Sequence, residues 1–129
     1  MSTISVPLIH RHLIVRATVA DPPRDCATVH TWLTQLCELI GMRLLAGPIT
    51  AYVEDVGNRG VTGVCIISTS HMAIHVWDES DPAVIQLDVY TCAVLDPQLV
   101  IRHLDQFSPV NIDTHYLDRD TELSVIPIQ

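Results

Sequence analysis

The chain has 129 residues, 48% of them apolar and 17% charged, enough for one globular domain with a core that needs no disulfide or metal. Its net charge of −8 argues against nucleic acid or an anionic membrane as partner, because both require a basic face. A small cation suits that balance better.

Cys26, Cys37, Cys65 and Cys92 form no C-x-x-C pair. Cys26 and Cys37 fall on a predicted helix and Cys65 on a predicted strand, so most are expected to be buried thiols. The start, Met1-Ser2-Thr3-Ile4-Ser5, has no basic segment followed by an apolar run, and no apolar stretch approaches the ~18 residues of a membrane span. The expectation is a soluble, reduced, cytoplasmic protein.

In chain order, His12 to Val19 (HLIVRATV) predicts a strand, broken by Asp21-Pro22-Pro23. From Cys26 to Met42, Val29, Trp32, Leu33, Leu36, Leu39 and Ile40 recur at the spacing of a helix with one buried stripe, ending near Gly41. Leu44 to Val56 predicts a second strand with an irregularity at Pro48. Gly57-Asn58-Arg59-Gly60 is a clear turn signal, and Val61 to Ser68 predicts a third strand. A fourth, Met72 to Trp77, follows with almost no spacer. After a polar turn at Asp78 to Pro82, Ala83 to Cys92 alternates Val84, Gln86, Asp88 and Tyr90 against Ile85, Leu87, Val89 and Thr91, a strand with one wet face. Asp96-Pro97 caps a second helix through Val100, Ile101, Leu104 and Phe107. Val110 to Leu117 is a last strand, and a loosely held tail begins at about residue 118.

The order β-α-β-β-β-β-α-β predicts an α/β (α+β) two-layer sandwich, an antiparallel-rich sheet with both helices on one face. Its other face must meet solvent or another subunit. From Val61 onward the pattern loosely echoes the first half, as an internal pseudo-repeat would.

Chemistry-bearing side chains gather in Thr69-Ser70-His71-Met72-Ala73-Ile74-His75-Val76-Trp77-Asp78-Glu79 and in Asp88-Val89-Tyr90-Thr91-Cys92. Strand parity puts His71, Ala73, His75 and Trp77 on one face and Ser70, Met72, Ile74 and Val76 on the other. Ser70 and His75 meet only if the chain turns or bulges around Ser70-His71. Three readings compete. In the plainest, a Thr-Ser-His turn joins two strands, and His75 and Cys92 are satisfied core residues. In the second, His71 and His75 hold a metal with His10, His12 or Asp88, although no recognised zinc or iron spacing is present. In the third, Ser70 is a nucleophile, His75 a proton carrier and Cys92 an acid.

The string Gly60-Val61-Thr62-Gly63-Val64, then Ser70-His71-x-x-Ile74-His75-x-Trp77-x-Glu79, then Asp88-Val89-Tyr90-Thr91-Cys92, resembles the prokaryotic S-adenosylmethionine decarboxylase proenzymes. Arg11-His12-Leu13-Ile14-Val15 and the Asp96-Pro97 helix extend the likeness over most of residues 11 to 117. The resemblance implies self-cleavage between Thr69 and Ser70 by an N→O acyl shift and elimination, leaving Ser70 as a pyruvoyl group and no other cofactor or metal. It implies that His75 promotes ester breakdown, that Thr62 supports cleavage, and that Cys92 protonates the substrate carbon after carbon dioxide leaves. The pyruvoyl carbonyl would take the substrate amine as a Schiff base and act as electron sink. The implied substrate, S-adenosylmethionine, is a sulfonium cation that fits the acidic balance, and the implied pathway is polyamine (spermidine) synthesis. Glu79 and Asp88 match acidic family positions, and Tyr52 or Trp77 offers a stacking surface for sulfonium or adenine. A homodimer or larger homo-oligomer is implied too, which would cover the open sheet face.

The sequence departs from the family at Thr69, where glutamate is usual, and at Arg16, where an acidic residue is usual. Two extra residues lie between Trp77 and Cys92, and about four before Gly60. Rival readings are a pyruvoyl-dependent arginine or ornithine decarboxylase, in which Arg16 answers a carboxylate, and a non-cleaving homologue. The latter would bind or break down S-adenosylmethionine, or regulate a true decarboxylase.

Overall fold

The structure, a computed structural model, describes residues 9–128. Its first strand, β1 (Arg11–Val19), buries Leu13, Val15, Ala17 and Val19 and exposes Ile14 and Arg16, so one face of the strand drives it onto a core. Helix α1 (Cys26–Leu39) starts at Asp25, whose carboxylate accepts the Thr28 amide at 2.8 Å. It stops at Gly41, φ +75°, where the Gly41 amide reaches the Glu38 carbonyl and the Met42 amide reaches the Cys37 carbonyl. That pair of bonds satisfies two orphan carbonyls, and the positive φ suits glycine. The apolar stripe is buried as the spacing requires: Val29, Trp32, Leu33, Leu36 and Cys37.

There follow β2 (Leu44–Val53), β3 (Gly60–Ile67), β4 (Ser70–Trp77), β5 (Ala83–Thr91), α2 (Pro97–His103), a 3-10 turn (Leu104–Phe107), β6 (Pro109–Asp118) and β7 (Ser124–Val125). They make one seven-stranded sheet, ordered β2-β3-β4-β5-β1-β6-β7 with antiparallel pairing throughout. The predicted irregularity at Pro48 is a register shift between Ala46 and Ile49. The fourth strand starts two residues earlier than its apolar pattern indicates, at Ser70. Beyond residue 118, expected as a loosely held tail, β7 pairs with β6, and the Ile126 amide reaches the Tyr116 carbonyl at 2.7 Å. Gly60, at φ +151°, leaves no room for a side chain, for a Cβ there would lie 1.7 Å from the Val76 carbonyl oxygen.

Both helices cover one face. Trp32 of α1 donates its indole N–H to the His103 carbonyl of α2, His103 Nε2 donates to the Trp32 carbonyl, each at 3.0 Å, and the rings stack with centroids 4.6 Å apart. Burial holds the His103 imidazole below its ordinary pKa, in keeping with a neutral ring that donates this bond.

The other sheet face is open and has two halves. On β2 and β3 it is apolar, with Ile49 67%, Ile66 55% and Val64 41% exposed. On β5, β1 and β6 it is polar, carrying Gln86, Asp88, Tyr90, His12, Arg16, Asp113 and His115.

Candidate active site

Only Ser68 and Thr69 separate β3 from β4, and Ile67 faces Ser70 across the hairpin. Ser70 has φ +149°, a region that side chains other than glycine avoid. The hairpin is clamped from three directions. The Ser68 amide donates to the Arg43 carbonyl at 2.7 Å, and the Arg43 amide donates back to Ser68 Oγ at 3.2 Å. Thr69 Oγ1 donates to Met42 Sδ at 2.9 Å. The Cys92 amide donates to the Thr69 carbonyl at 2.7 Å, so the carbonyl of the Thr69–Ser70 peptide bond already has a main-chain donor aimed at it. Cys92 is positioned by Thr91, which pairs with Ser70 in register, is fully buried, and spends its hydroxyl on the Ala93 carbonyl at 2.7 Å.

The chain turns at Ser70, but toward His71 and not His75: Ser70 Oγ lies 3.1 Å from His71 Nδ1. His75 stands five positions along β4, about 17 Å at roughly 3.3 Å per residue. Its Nδ1 lies 3.2 Å from Oγ1 of Thr62, its register partner on β3. Trp77 tilts against His75 with centroids 6.0 Å apart and donates its indole N–H to Asn58 at 2.8 Å. The predicted residues thus form two groups on one chain. Thr69, Ser70 and Cys92 meet at the start of β4; Thr62, His75 and Trp77 meet further along it.

The other predicted ligands have engagements of their own. Glu79 accepts the amides of Gly57 and Arg59, both at 3.1 Å, which holds its carboxyl below the usual range and braces the turn before β3. Tyr52 donates its hydroxyl to Asp78 at 2.8 Å. Asp88 accepts His12 Nε2 at 2.9 Å. His12 and His71 each lie 5.6 Å from the Tyr90 ring, with the Arg119 guanidinium 4.3 Å over it. Among the described residues no group of three His, Cys, Asp or Glu is arranged to hold a metal. No described helix is long and apolar enough to cross a membrane.

Of the thiols, Cys37 and Cys65 are buried, and desolvation pushes Cys65 up to about 11; Cys26 and Cys92 are half-buried. Sequence reasoning missed the Cys92 main-chain donor, the Ser70–His71 contact and the Arg43–Met42 clamp. Only the missing spacer before β4 signals any of them.

Fold and site together define an antiparallel α+β sandwich with a serine at a clamped, left-handed hairpin end. The sequence model of the S-adenosylmethionine decarboxylase family matches residues 11–120, and the chain belongs to that family. The proenzyme of Parasynechococcus marenigrum (strain WH8102) is 36% identical over 87 residues, 66% of this chain and 63% of that protein. The one from Synechococcus sp. (strain WH7803) is 29% identical over 126 residues, 95% of this chain and 94% of its own length. For the former, then, the match spans less than two thirds of the relative. An arginine decarboxylase proenzyme from Aeropyrum pernix is 35% identical over 72 residues, 54% of this chain and 53% of that protein. The crystal structure of the adenosylmethionine decarboxylase from Aquifex aeolicus superposes with a TM-score of 0.66 at 20% identity, covering 96% of this chain and 99% of that one, a likeness of fold.

Proposed function

We propose that this chain is a proenzyme that cuts itself between Thr69 and Ser70 and then decarboxylates S-adenosylmethionine. The observation that carries the reading is the Thr69 carbonyl, held at 2.7 Å by the Cys92 amide beside a serine at positive φ. In the first step Ser70 Oγ bonds to the Thr69 carbonyl carbon, and the Cys92 N–H supports the oxyanion that forms there. The Thr69–Ser70 C–N bond then breaks, the Ser70 nitrogen takes a proton, and an ester remains. Loss of the Ser70 Cα proton and of the Thr69 carboxylate, followed by hydrolysis, releases ammonia and leaves the pyruvoyl group. The threonine before the scissile bond is compatible with this sequence, because the shift runs through main-chain atoms. Once formed, the pyruvoyl group supplies the electron sink for decarboxylation. Cys92, fixed beside Ser70 by its own amide, is suited to return a proton to the substrate carbon.

His75 is the group for the ester stage, yet about 17 Å of β4 separates it from its own Ser70. The reading therefore includes a homodimer with open faces packed together, so that His75 and Thr62 of one copy serve Ser70 of the other. The exposed Ile49, Val64 and Ile66 support that packing, since apolar patches of this kind mark interfaces. Trp77, beside His75, and Asp88 border the space between the copies as substrate contacts. The reading puts the enzyme in the cytoplasm, where its four unpaired thiols stay reduced, and in polyamine (spermidine) synthesis.

Intact-mass measurement on purified protein gives two fragments divided before Ser70 if the reading holds; a single chain after prolonged incubation sinks it. His75→Ala is expected to slow maturation by roughly 10²–10⁴-fold and to accumulate precursor or ester. A second reading keeps the cleavage and exchanges the substrate. The Aeropyrum relative favours arginine as that substrate, with the exposed Arg16 available to answer its carboxylate. Release of labelled carbon dioxide from S-adenosylmethionine against arginine and ornithine separates the two.

A further inference from the structure

We infer that His71 is the base that takes the Ser70 hydroxyl proton as the acyl shift begins. This rests on the cleavage reading above and assigns a step that His75 is too distant to perform within the chain. On a regular strand, neighbouring side chains point to opposite faces, so residues 70 and 71 have no contact. The positive φ of Ser70 breaks that alternation and brings Oγ to 3.1 Å from His71 Nδ1. A backbone strained at one residue thus pairs a nucleophile with the imidazole next to it, inside the reach a general base requires.

The surroundings fix the ring for this task. His71 sits opposite Tyr90 in the β4–β5 register and packs edge-on against it at 5.6 Å. From β3 it faces Ile66, which offers its nitrogens no partner. Besides the Cys92 thiol beside Ser70, the charged and titratable groups near it lie beyond Tyr90: Arg119 over the phenol ring, His10 at its hydroxyl, and Asp88 held by His12. With the ring as its Nε2–H tautomer, Nδ1 accepts the proton as Oγ bonds to the Thr69 carbon. The resulting imidazolium then gives that proton to the Ser70 nitrogen as the C–N bond breaks. Charge and atoms balance without an outside acid or base, and the Cys92 amide holds the oxyanion in between.

The test follows cleavage of freshly made wild type, His71→Ala and His71→Gln by mass over time, with melting curves to verify that each is folded. The expected result is at least a hundredfold slower cleavage in both variants, with added imidazole restoring rate to His71→Ala. Wild type that cuts while His71→Ala cuts within twofold of it overturns the inference and leaves the cleavage reading standing. Recovery by His71→Gln without imidazole rescue of His71→Ala also overturns it, because an amide can position Ser70 but cannot take its proton. A wild-type chain that never cuts overturns both readings, and is recognised by the wild-type mass alone.

Discussion

The two faces of this sheet are made from the same strands by alternate residues, and they do different work. Along β4, Met72, Ile74 and Val76 are 0–3% exposed beneath the helices, whereas His71, Ala73, His75 and Trp77 line the open side. The covered face is a closed core whose polar atoms are satisfied: Thr91 bonds Ala93, and Trp32 and His103 bond each other. The open face keeps apolar and titratable groups at the surface at once. Stability is therefore concentrated on one side and the proposed chemistry on the other, with Ser70 at the seam, where alternation fails.

Ser70→Ala is the largest test of that division. It removes the hydroxyl that the proposed acyl shift adds to the Thr69 carbonyl, so cleavage and every activity that depends on it should disappear by mass and by carbon dioxide release. Melting temperature should barely move, because the side chain contributes no core packing. A variant that still cuts, or that unfolds, breaks the separation between faces. Ile74→Ala is the counterpart from the covered side. Ile74 is wholly buried, and its truncation costs about 2–5 kcal/mol of unfolding free energy in urea melts. The folded fraction should still cut at Thr69–Ser70, since the neighbours His71 and His75 stay in register.

How much of this was readable beforehand follows the same division. Periods of 2 and 3.6 report which residues face the core, so the elements up to β6, the two-layer arrangement and the faces of His71 to Trp77 were visible in apolar spacing, whereas the positive φ of Ser70 takes that residue out of the alternation. Asp96-Pro97 adds the start of the second helix, where the Asp96 side chain accepts the Gln98 amide, whereas the Asp25 cap on α1 was not read. The clamp on the scissile hairpin was not visible. Its donors and acceptors are mostly main-chain atoms of Arg43 and Cys92, which every residue type possesses, brought in from distant parts of the chain. Nor does sequence spacing tell that Glu79 and Tyr52 are occupied by the 57–59 turn and by Asp78. The motif pieces single out Ser70 and His75, but their order says nothing of the roughly 17 Å that separates the two along one strand.

The apolar half of the open face offers a smaller, sharper test. Ile49→Asn together with Ile66→Asn should shift the protein toward monomer in sedimentation or size-exclusion with light scattering. The fold should lose less than about 1 kcal/mol, since both side chains are more than half exposed. Slower cleavage in step with the loss of dimer supports the reading that His75 acts across the interface. Unchanged cleavage in a pure monomer removes that part of it.

The smallest expected effect concerns a histidine on the covered side. His103 is stacked on Trp32 and donates to its carbonyl, and burial depresses its pKa, so the folded state binds its proton less readily than the unfolded chain does. Its contribution is therefore present above the unfolded imidazole pKa of about 6.5 and fades as pH falls through and below that value. Comparing urea melts of wild type and His103→Phe across that range subtracts the titrations they share. The difference in unfolding free energy should be largest in favour of wild type near neutral pH and should shrink on acidification. A flat difference would mean that stacking on Trp32 alone holds His103 and that its protonation has no part in stability.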